Sequence, residues 1–181
     1  MKIVITILFG LYTFMGMAQD TFPQDWVGNY SGKMKMAYLG HKNDTVDVDF
    51  VLKEIEKDSI WTYTMTYNSD KWGTVIKDYR YVAEKKGEFT NFIFDELNGI
   101  KMKMTLFDNC FYGLYDVMNG MYISTLRKIG DDLFFELFSA PMENPFITKT
   151  EPDEAGERIE AKSMKPMLVQ SVLLRRTSSE D

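Results

Sequence analysis

The residue types that most often do chemistry in proteins are scarce in this chain. Its 181 residues include one histidine and one cysteine. His41 lies in the polar stretch LGHKND, which is typical of a solvated turn, and Cys110 lies in an apolar run, where a lone thiol usually acts as a small hydrophobic side chain. Zinc is normally held by about four ligands, and a nucleophile needs a base beside it. We therefore predict no metal, no haem and no other cofactor.

Paired carboxylates are the remaining groups that could support catalysis. Asp47 and Asp49 share one face of a strand-like segment, and further acidic pairs lie near turns at 95–96 and 131–132. Glycoside hydrolysis needs two carboxyl groups about 5 to 10 Å apart across a cleft, whereas acids at strand ends commonly protect sheet edges. The stretch DTVDVD also lacks the glycine and the glutamate of a calcium-binding loop. Because no catalytic constellation is visible, we do not predict an enzyme.

Large apolar side chains at every second position are the dominant feature of the sequence. In IWTYTMTY they alternate with threonines, and in KMKM two methionines alternate with lysines. Alternation of this kind indicates strands with one buried and one wet face. Methionine adapts its shape and suits a pocket for varied apolar ligands, although it also fills irregular cores. The predicted ligand pocket is lined by Trp61, Tyr63, Met65, Met102 and Met104.

Strand-like segments follow one another along the whole chain and are separated by short turns. Asn-Gly pairs at 98–99 and 119–120 supply residues that tight hairpins favour. The sequence therefore predicts an all-β antiparallel up-and-down meander of eight to ten strands. The predicted strands cover 26–36, 45–56, 60–67, 75–84, 89–96, 99–107, 110–117, 121–129, 133–140 and 168–177.

Residues 141–166 interrupt this pattern with prolines and a cluster of acidic residues. Two structures are compatible with the segment. It is either a long acidic loop or a surface loop with a short helix over Asp153–Lys165, in which Asp153 is the N-cap. A connection of this length is unusual in a compact domain and is either functional or disordered.

The segment WVGNYSGKMKM, residues 26–36, indicates that the meander closes into a barrel. Trp26, Gly28, Tyr30 and Gly32 lie on the face opposite the lysines. Glycine inside a strand marks a sharp bend or a close approach of another backbone. We therefore expect a strongly bent first strand whose aromatic ring closes one end of a barrel.

The stretch DWVGNY resembles the glycine-x-tryptophan motif that opens lipocalins and related calycin barrels, with Tyr30 in the place of the tryptophan. This resemblance implies a closed barrel of eight to ten strands and a basic residue, Arg175 or Arg176, late in the chain. That residue would pack over the first-strand aromatic or pair with an acidic ligand headgroup. The resemblance also implies that Trp26 and Tyr30 close the barrel below a bound apolar or amphipathic molecule.

Residues 1–18 have the layout of a cleaved signal peptide, and residues 19–181 are predicted to form a single domain. Lys2 precedes an uncharged run, and Gly16 and Ala18 place small residues before the cleavage point. The uncharged run extends about 22 Å as a helix, which is shorter than the roughly 30 Å membrane core. We therefore expect an exported protein, periplasmic or secreted, with no membrane span in the mature chain.

Two functions remain open at this point. The first is an exported lipocalin-like barrel that binds a small apolar or amphipathic molecule. The second is an envelope interaction module with a filled core that acts through its surface and the 141–166 segment. Nucleic acid is not an expected partner of either, because the formal net charge is −6 and nucleic-acid binders carry basic patches.

Overall fold

The structure, a computed structural model, describes residues 22–177. The predicted signal peptide, residues 1–18, lies outside the described residues. Within residues 22–177 all regular structure is strand and no helix is present. The strands are β1 (Gly28–Tyr38), β2 (Asp44–Leu52), β3 (Glu54–Glu56), β4 (Ile60–Ser69), β5 (Gly73–Lys85), β6 (Glu88–Asp95), β7 (Lys101–Phe107), β8 (Cys110–Val117), β9 (Gly120–Ile129), β10 (Asp132–Pro141), β11 (Phe146–Lys149), β12 (Glu160–Ser163) and β13 (Leu168–Arg176).

Ten of these strands form a closed antiparallel barrel, as the sequence predicts. Consecutive strands pair from β4 through β10, β13 then pairs with both β10 and β1, and β2 pairs with both β1 and β4. Strand β2 is interrupted at Lys53, and after this interruption the short β3 continues the pairing along β4. Closure gives each barrel strand two partners and so removes the exposed edges that an open meander would have.

A neighbouring strand approaches the first strand closely at a glycine, as the sequence indicates. Tyr30, Met34 and Met36 point into the barrel and are buried. A Cβ atom on Gly32 would lie 2.4 Å from the carbonyl oxygen of Leu173, so only glycine permits this approach of β13. Trp26 differs from the prediction because it precedes the strand, in a turn where its backbone N–H donates to the carbonyl oxygen of Pro23 at 3.0 Å.

One end of the barrel is filled by aromatic rings. Phe22 lies at the centre of this closed end, with ring-centroid distances of 4.9 Å to Trp61 and 5.1 Å to Phe111. Trp26 contacts Phe22 at 5.8 Å, and Trp26 and Trp61 are fully buried. Neither indole N–H has a hydrogen-bond acceptor among the described residues, so packing against neighbouring side chains holds the two indole rings. The expected aromatic closure of one end is therefore present.

The segment after β10 contains a β-hairpin in place of the suggested helix. Strands β11 and β12 pair with each other and form a separate two-stranded sheet. Asp153 does accept backbone hydrogen bonds, from Ala155 at 2.9 Å and Glu157 at 2.8 Å, but these close a turn. The β-branched residues of FITK pair across this turn, and Gly156 adopts a positive φ of 84° within it. Hydrogen bonds between β11 and β12 therefore take the place of the hydrogen bonds within the suggested helix.

Candidate functional site

The barrel interior is accessible at the end opposite the aromatic closure. An inner pocket of about 70 Å³ and a mouth pocket of about 210 Å³ adjoin there, since they share Tyr67, Lys77 and Gln170. The mouth pocket is completed by Met36, Trp72 and Val75. The other inner-pocket residues are Tyr63, Tyr79, Tyr81, Phe94, Glu96, Met104, Tyr115, Ser124, Thr125, Leu126, Phe135 and Leu137.

Tyrosine rings dominate the inner pocket. Tyr63 packs against Phe94 at a centroid distance of 4.8 Å and lies nearly parallel to Tyr79 at 6.4 Å. Burial raises the pKa of Tyr63 and Tyr81 well above the ordinary value, and it raises the pKa of Tyr67 as well. These hydroxyls therefore stay protonated at neutral pH and keep their capacity to donate hydrogen bonds.

The mouth pocket combines aromatic walls with one cation. Trp72 lies in the turn between β4 and β5 and is 47% exposed. The Lys77 Nζ atom lies 6.0 Å from the centre of the Tyr67 ring. Within residues 22–177, Lys77 forms no ion pair, whereas the nearby Lys71 is paired with Asp44 at 2.7 Å. A ligand entering the mouth therefore meets an ammonium group that no carboxylate of the described residues pairs with.

Polar side chains also line the inner pocket at the open end. Glu96 follows β6 and lines the inner pocket, where Asn98 donates a hydrogen bond to its carboxylate at 3.1 Å. Burial raises the pKa of Tyr115, and a hydrogen bond with Ser124 lowers it in part. The inner wall near the open end therefore combines aromatic rings with polar groups.

The structure brings some of the sequence-predicted pocket residues together and separates others. Tyr63 and Met104 line the inner pocket. Trp61 lies in the aromatic closure, and Met65 and Met102 are buried in the packed wall without lining either pocket. All five do point inward, as the alternation predicts.

The basic partner of the first strand is Arg176, at the closed end. Its guanidinium carbon lies 5.0 Å from the centre of the Tyr30 ring, and Nη2 donates to the Tyr30 hydroxyl at 2.8 Å. Nη1 donates to the carbonyl oxygen of Val27 at 2.8 Å, and Nη2 also donates to that of Asp25. Arg175 instead points outward and pairs with Asp132. Arg176 therefore caps the aromatic ring of Tyr30 and lies at the opposite end of the barrel from the pocket.

Several pocket residues escaped the sequence analysis, although alternation could have found them. Lys77, Tyr79 and Tyr81 occupy every second position of β5, and Tyr81 is fully buried. This periodicity places Lys77 on the inner face, where a lysine is unusual. Glu96 and Gln170 likewise continue the inner faces of β6 and β13.

The described residues hold no cluster of three or more metal-ligating side chains. His41 lies exposed in the turn after β1. No segment of residues 22–177 forms a helix with the length and apolarity that a membrane crossing needs. The groups that line the open pocket can stack against rings, donate hydrogen bonds and attract an anion.

Comparison with known proteins identifies the fold. The sequence matches no protein-family model and no curated protein. The structure is similar to the S-type phycobiliprotein lyase CPES from Guillardia theta, with a TM-score of 0.60 and 8% identity over 87% of this chain and 91% of that one. It is also similar to a protein of unknown function from the DUF3598 family of Nostoc punctiforme, with a TM-score of 0.57 and 11% identity over 85% of this chain and 48% of that one. Together with the closed ten-stranded topology, these likenesses show that the protein has a calycin-like barrel fold.

Proposed function

We propose that the protein binds a small amphipathic molecule in the open end of its barrel. The observation that carries this proposal is the adjoining pair of pockets, which aromatic rings line and which a few polar groups flank. Binding sites are typically concave, mostly apolar and provided with a small number of placed polar groups. The phycobiliprotein lyase has the same type of barrel, which supports small-molecule binding without specifying the ligand.

The size of the pocket restricts the ligand. The mouth pocket measures about 210 Å³ and the inner pocket about 70 Å³, whereas sites for drug-sized ligands occupy roughly 300 to 1,000 Å³. Below the pocket the barrel is packed, and Trp61 and Phe111 are fully buried there. The space therefore suits a compact ring system and excludes a long acyl chain running through the barrel.

Titration with the fluorescent ring compound N-phenylnaphthylamine tests this proposal. We expect a Kd of about 10 μM or tighter, which corresponds to roughly −7 kcal/mol. Gln170→Phe fills the shared wall of both pockets and should weaken binding at least about tenfold, which is about 1.4 kcal/mol. Leu173→Phe, on the outer face of the same strand, is the matched control and should bind as the wild type does. Equal affinities of the two variants would contradict a site inside the mouth.

Intrinsic fluorescence provides an independent readout. Trp72 is the tryptophan at the mouth, whereas Trp26 and Trp61 lie in the closed end. Ligand binding should quench or shift the emission of the wild type, and Trp72→Phe should abolish this change. A change that survives in Trp72→Phe would place the ligand elsewhere.

Export of this barrel is a further part of the proposal, supported by the signal-like layout of residues 1–18. Cleavage after Ala18 would leave Gln19 as the first residue. The intact mass of the protein recovered from the periplasm or medium tests this. A mass that includes residues 1–18 would contradict it.

One observation favours the second function, interaction through the surface. Phe146 and Ile159 are 71% and 75% exposed and share one face of the β11–β12 hairpin with Thr148, Ala161 and Ser163. That face carries no charged side chain, so its pairing would not place like charges directly against each other. If it joins two copies, sedimentation should show dimers that the combination of Phe146→Ser and Ile159→Ser abolishes. Ile147→Ser, on the opposite face, is the control.

A further inference from the structure

We infer that the ligand carries an anionic group and binds with that group at Lys77 and its ring system directed into the barrel. This inference rests on the proposed function and adds the charge and the orientation of the ligand. It is drawn from the placement of the charged side chains along the pocket axis, together with the hydrogen-bonding capacity of the tyrosines.

Lys77 is the only cation among the residues that line the two adjoining pockets. Its ammonium group faces the Tyr67 ring, and it forms no ion pair within the part of the chain that the structure describes. Another lysine near the open end, Lys71, is neutralised by Asp44. An unpaired ammonium group beside an aromatic wall is the arrangement that attracts a carboxylate, sulfonate or phosphate attached to a ring.

The orientation follows from the position of the single acidic lining residue. Glu96 lines the inner pocket and is absent from the lining of the mouth, whereas Lys77 lines both. An anionic group in the inner pocket would therefore be repelled by Glu96. An anionic group at the mouth is attracted by Lys77 and remains partly hydrated, so its desolvation costs little.

The tyrosines of the inner pocket complete the description of the ligand. The hydroxyls of Tyr63, Tyr67 and Tyr79 form no side-chain hydrogen bond within residues 22–177. Protonated phenol groups donate hydrogen bonds, and their rings offer flat stacking surfaces. The inner end of the ligand is therefore a flat, uncharged ring that carries acceptor atoms.

A pair of probes that differ by one charge tests the inference. N-phenylnaphthylamine is neutral, and anilinonaphthalene sulfonate has the same ring skeleton with an added sulfonate. We expect the wild type to bind the sulfonate about tenfold more tightly than the neutral probe at low ionic strength, because the ion pair forms beside a low-dielectric wall. Lys77→Met should reduce this selectivity to about one, and Lys77→Arg should retain it.

The control variant is Lys103→Met. Lys103 points outward from β7 and pairs with Glu84 at 3.1 Å, so its loss should leave the selectivity at about tenfold. Glu96→Gln should raise the affinity for the sulfonate, since it removes the repulsion. High salt should lower the selectivity, because counterions screen the exposed ammonium group.

The outcomes separate this inference from the function on which it rests. If both probes bind with equal affinity and Lys77→Met changes nothing, the anionic ligand is excluded while the pocket remains a binding site. If neither probe binds, or if Gln170→Phe does not weaken binding, the proposed function and this inference both fail. Selective binding that Lys77→Met abolishes supports both. A preference for anions would in addition oppose the net negative charge of the whole protein, and its loss in Lys77→Met would attribute it to this one cation.

Discussion

At the scale of single residues, Arg176 of the last strand connects to Val27 and Tyr30 near the start of the first strand. The alternating register explains why this residue and not Arg175 contacts Tyr30. Arg176 lies directly opposite Tyr30 in the β1–β13 pair, and opposite residues share a face of the sheet. A Cβ atom on Gly28 would lie 2.7 Å from Nη1 of Arg176, so the glycine of the opening motif makes room for the guanidinium group.

The first prediction concerns this contact. Arg176→Lys should lower the free energy of unfolding by about 1 to 3 kcal/mol, because a lysine cannot bond Val27 and Tyr30 simultaneously and stack on the ring. Chemical denaturation measures this loss. Arg175→Lys affects only an exposed ion pair and should cost no more than about 0.5 kcal/mol. Equal costs would show that the cap over Tyr30 contributes nothing specific.

The second prediction concerns the aromatic closure. Trp26→Ala should cost about 3 to 5 kcal/mol, because Trp26 is fully buried among other rings. Trp26→Phe should cost less, since no hydrogen bond of the indole is lost. Lys33→Ala and Lys35→Ala, on the wet face of β1, should each stay within about 0.5 kcal/mol in the same denaturation assay. Small effects at all positions would mean that the turn before β1 does not close the barrel.

At the scale of elements, the β11–β12 hairpin stands apart from the rest of the fold. Every residue of both strands is exposed, and among the described residues no hydrogen bond or ion pair joins either strand to the barrel. The residues that connect the hairpin to the barrel are held by backbone hydrogen bonds. Met142 donates a backbone hydrogen bond to Asn119 at 3.0 Å, and Met167 donates one to Ser139 at 2.9 Å. The hairpin leaves the barrel at the open end, between β10 and β13.

The third prediction follows from this separation. Replacement of residues 146–163 by a short glycine-serine linker should change the free energy of unfolding of the barrel by less than about 1 kcal/mol, because loop length enters stability only weakly. Thermal or chemical unfolding tests this. A larger excision that also removes Met142 and Met167 should cost more, since it breaks the hydrogen bonds at the barrel rim. A loss of several kcal/mol from the smaller excision would show that the hairpin packs on the barrel.

At the scale of the whole molecule, the inner wall of the barrel contains an unusual number of buried tyrosines. Burial raises the pKa of Tyr30 to about 12, despite the opposing effect of Arg176, and it raises the pKa of Tyr63 and Tyr81 well above the ordinary value. In each case the folded protein binds the phenolic proton more tightly than the unfolded chain, whose tyrosines have a pKa of about 10. Folding therefore depends on these protons at alkaline pH.

The fourth prediction is a loss of stability at alkaline pH. Because the folded-state pKa values are raised, the contribution of each buried tyrosine is complete below pH 10, the ordinary tyrosine value. It is lost as the pH rises towards the folded-state value, by up to about 1.4 kcal/mol per pH unit for each residue. The pH at which circular dichroism shows unfolding should coincide with the pH at which the ultraviolet absorbance of tyrosinate appears. Tyr81→Phe should shift the midpoint to higher pH, and an unchanged midpoint would contradict this account.

The barrel could be predicted from the sequence because strand alternation is a local property. Trp61, Tyr63, Met102 and Met104 all point inward, since a strand with one apolar face can bury it in only one direction. The turns between strands are equally local, and most predicted strand boundaries agree with the structure to within a few residues. The helix suggested over 153–165 is wrong, because residues 160–163 pair with residues 146–149, which lie 11 to 17 positions earlier in the chain.

The location of the pocket was decided by the tertiary structure alone. Alternation assigns a residue to the inner face but does not give its height along the barrel axis, which depends on the register of all ten strands. The ring of Phe22 fills the closed end around Trp61, so the space that remains lies near Tyr67 and Lys77. The choice between Arg175 and Arg176 also needed the register of β1 against β13. A sequence thus determines which side chains face inward, whereas the space left between them depends on how distant strands pack together.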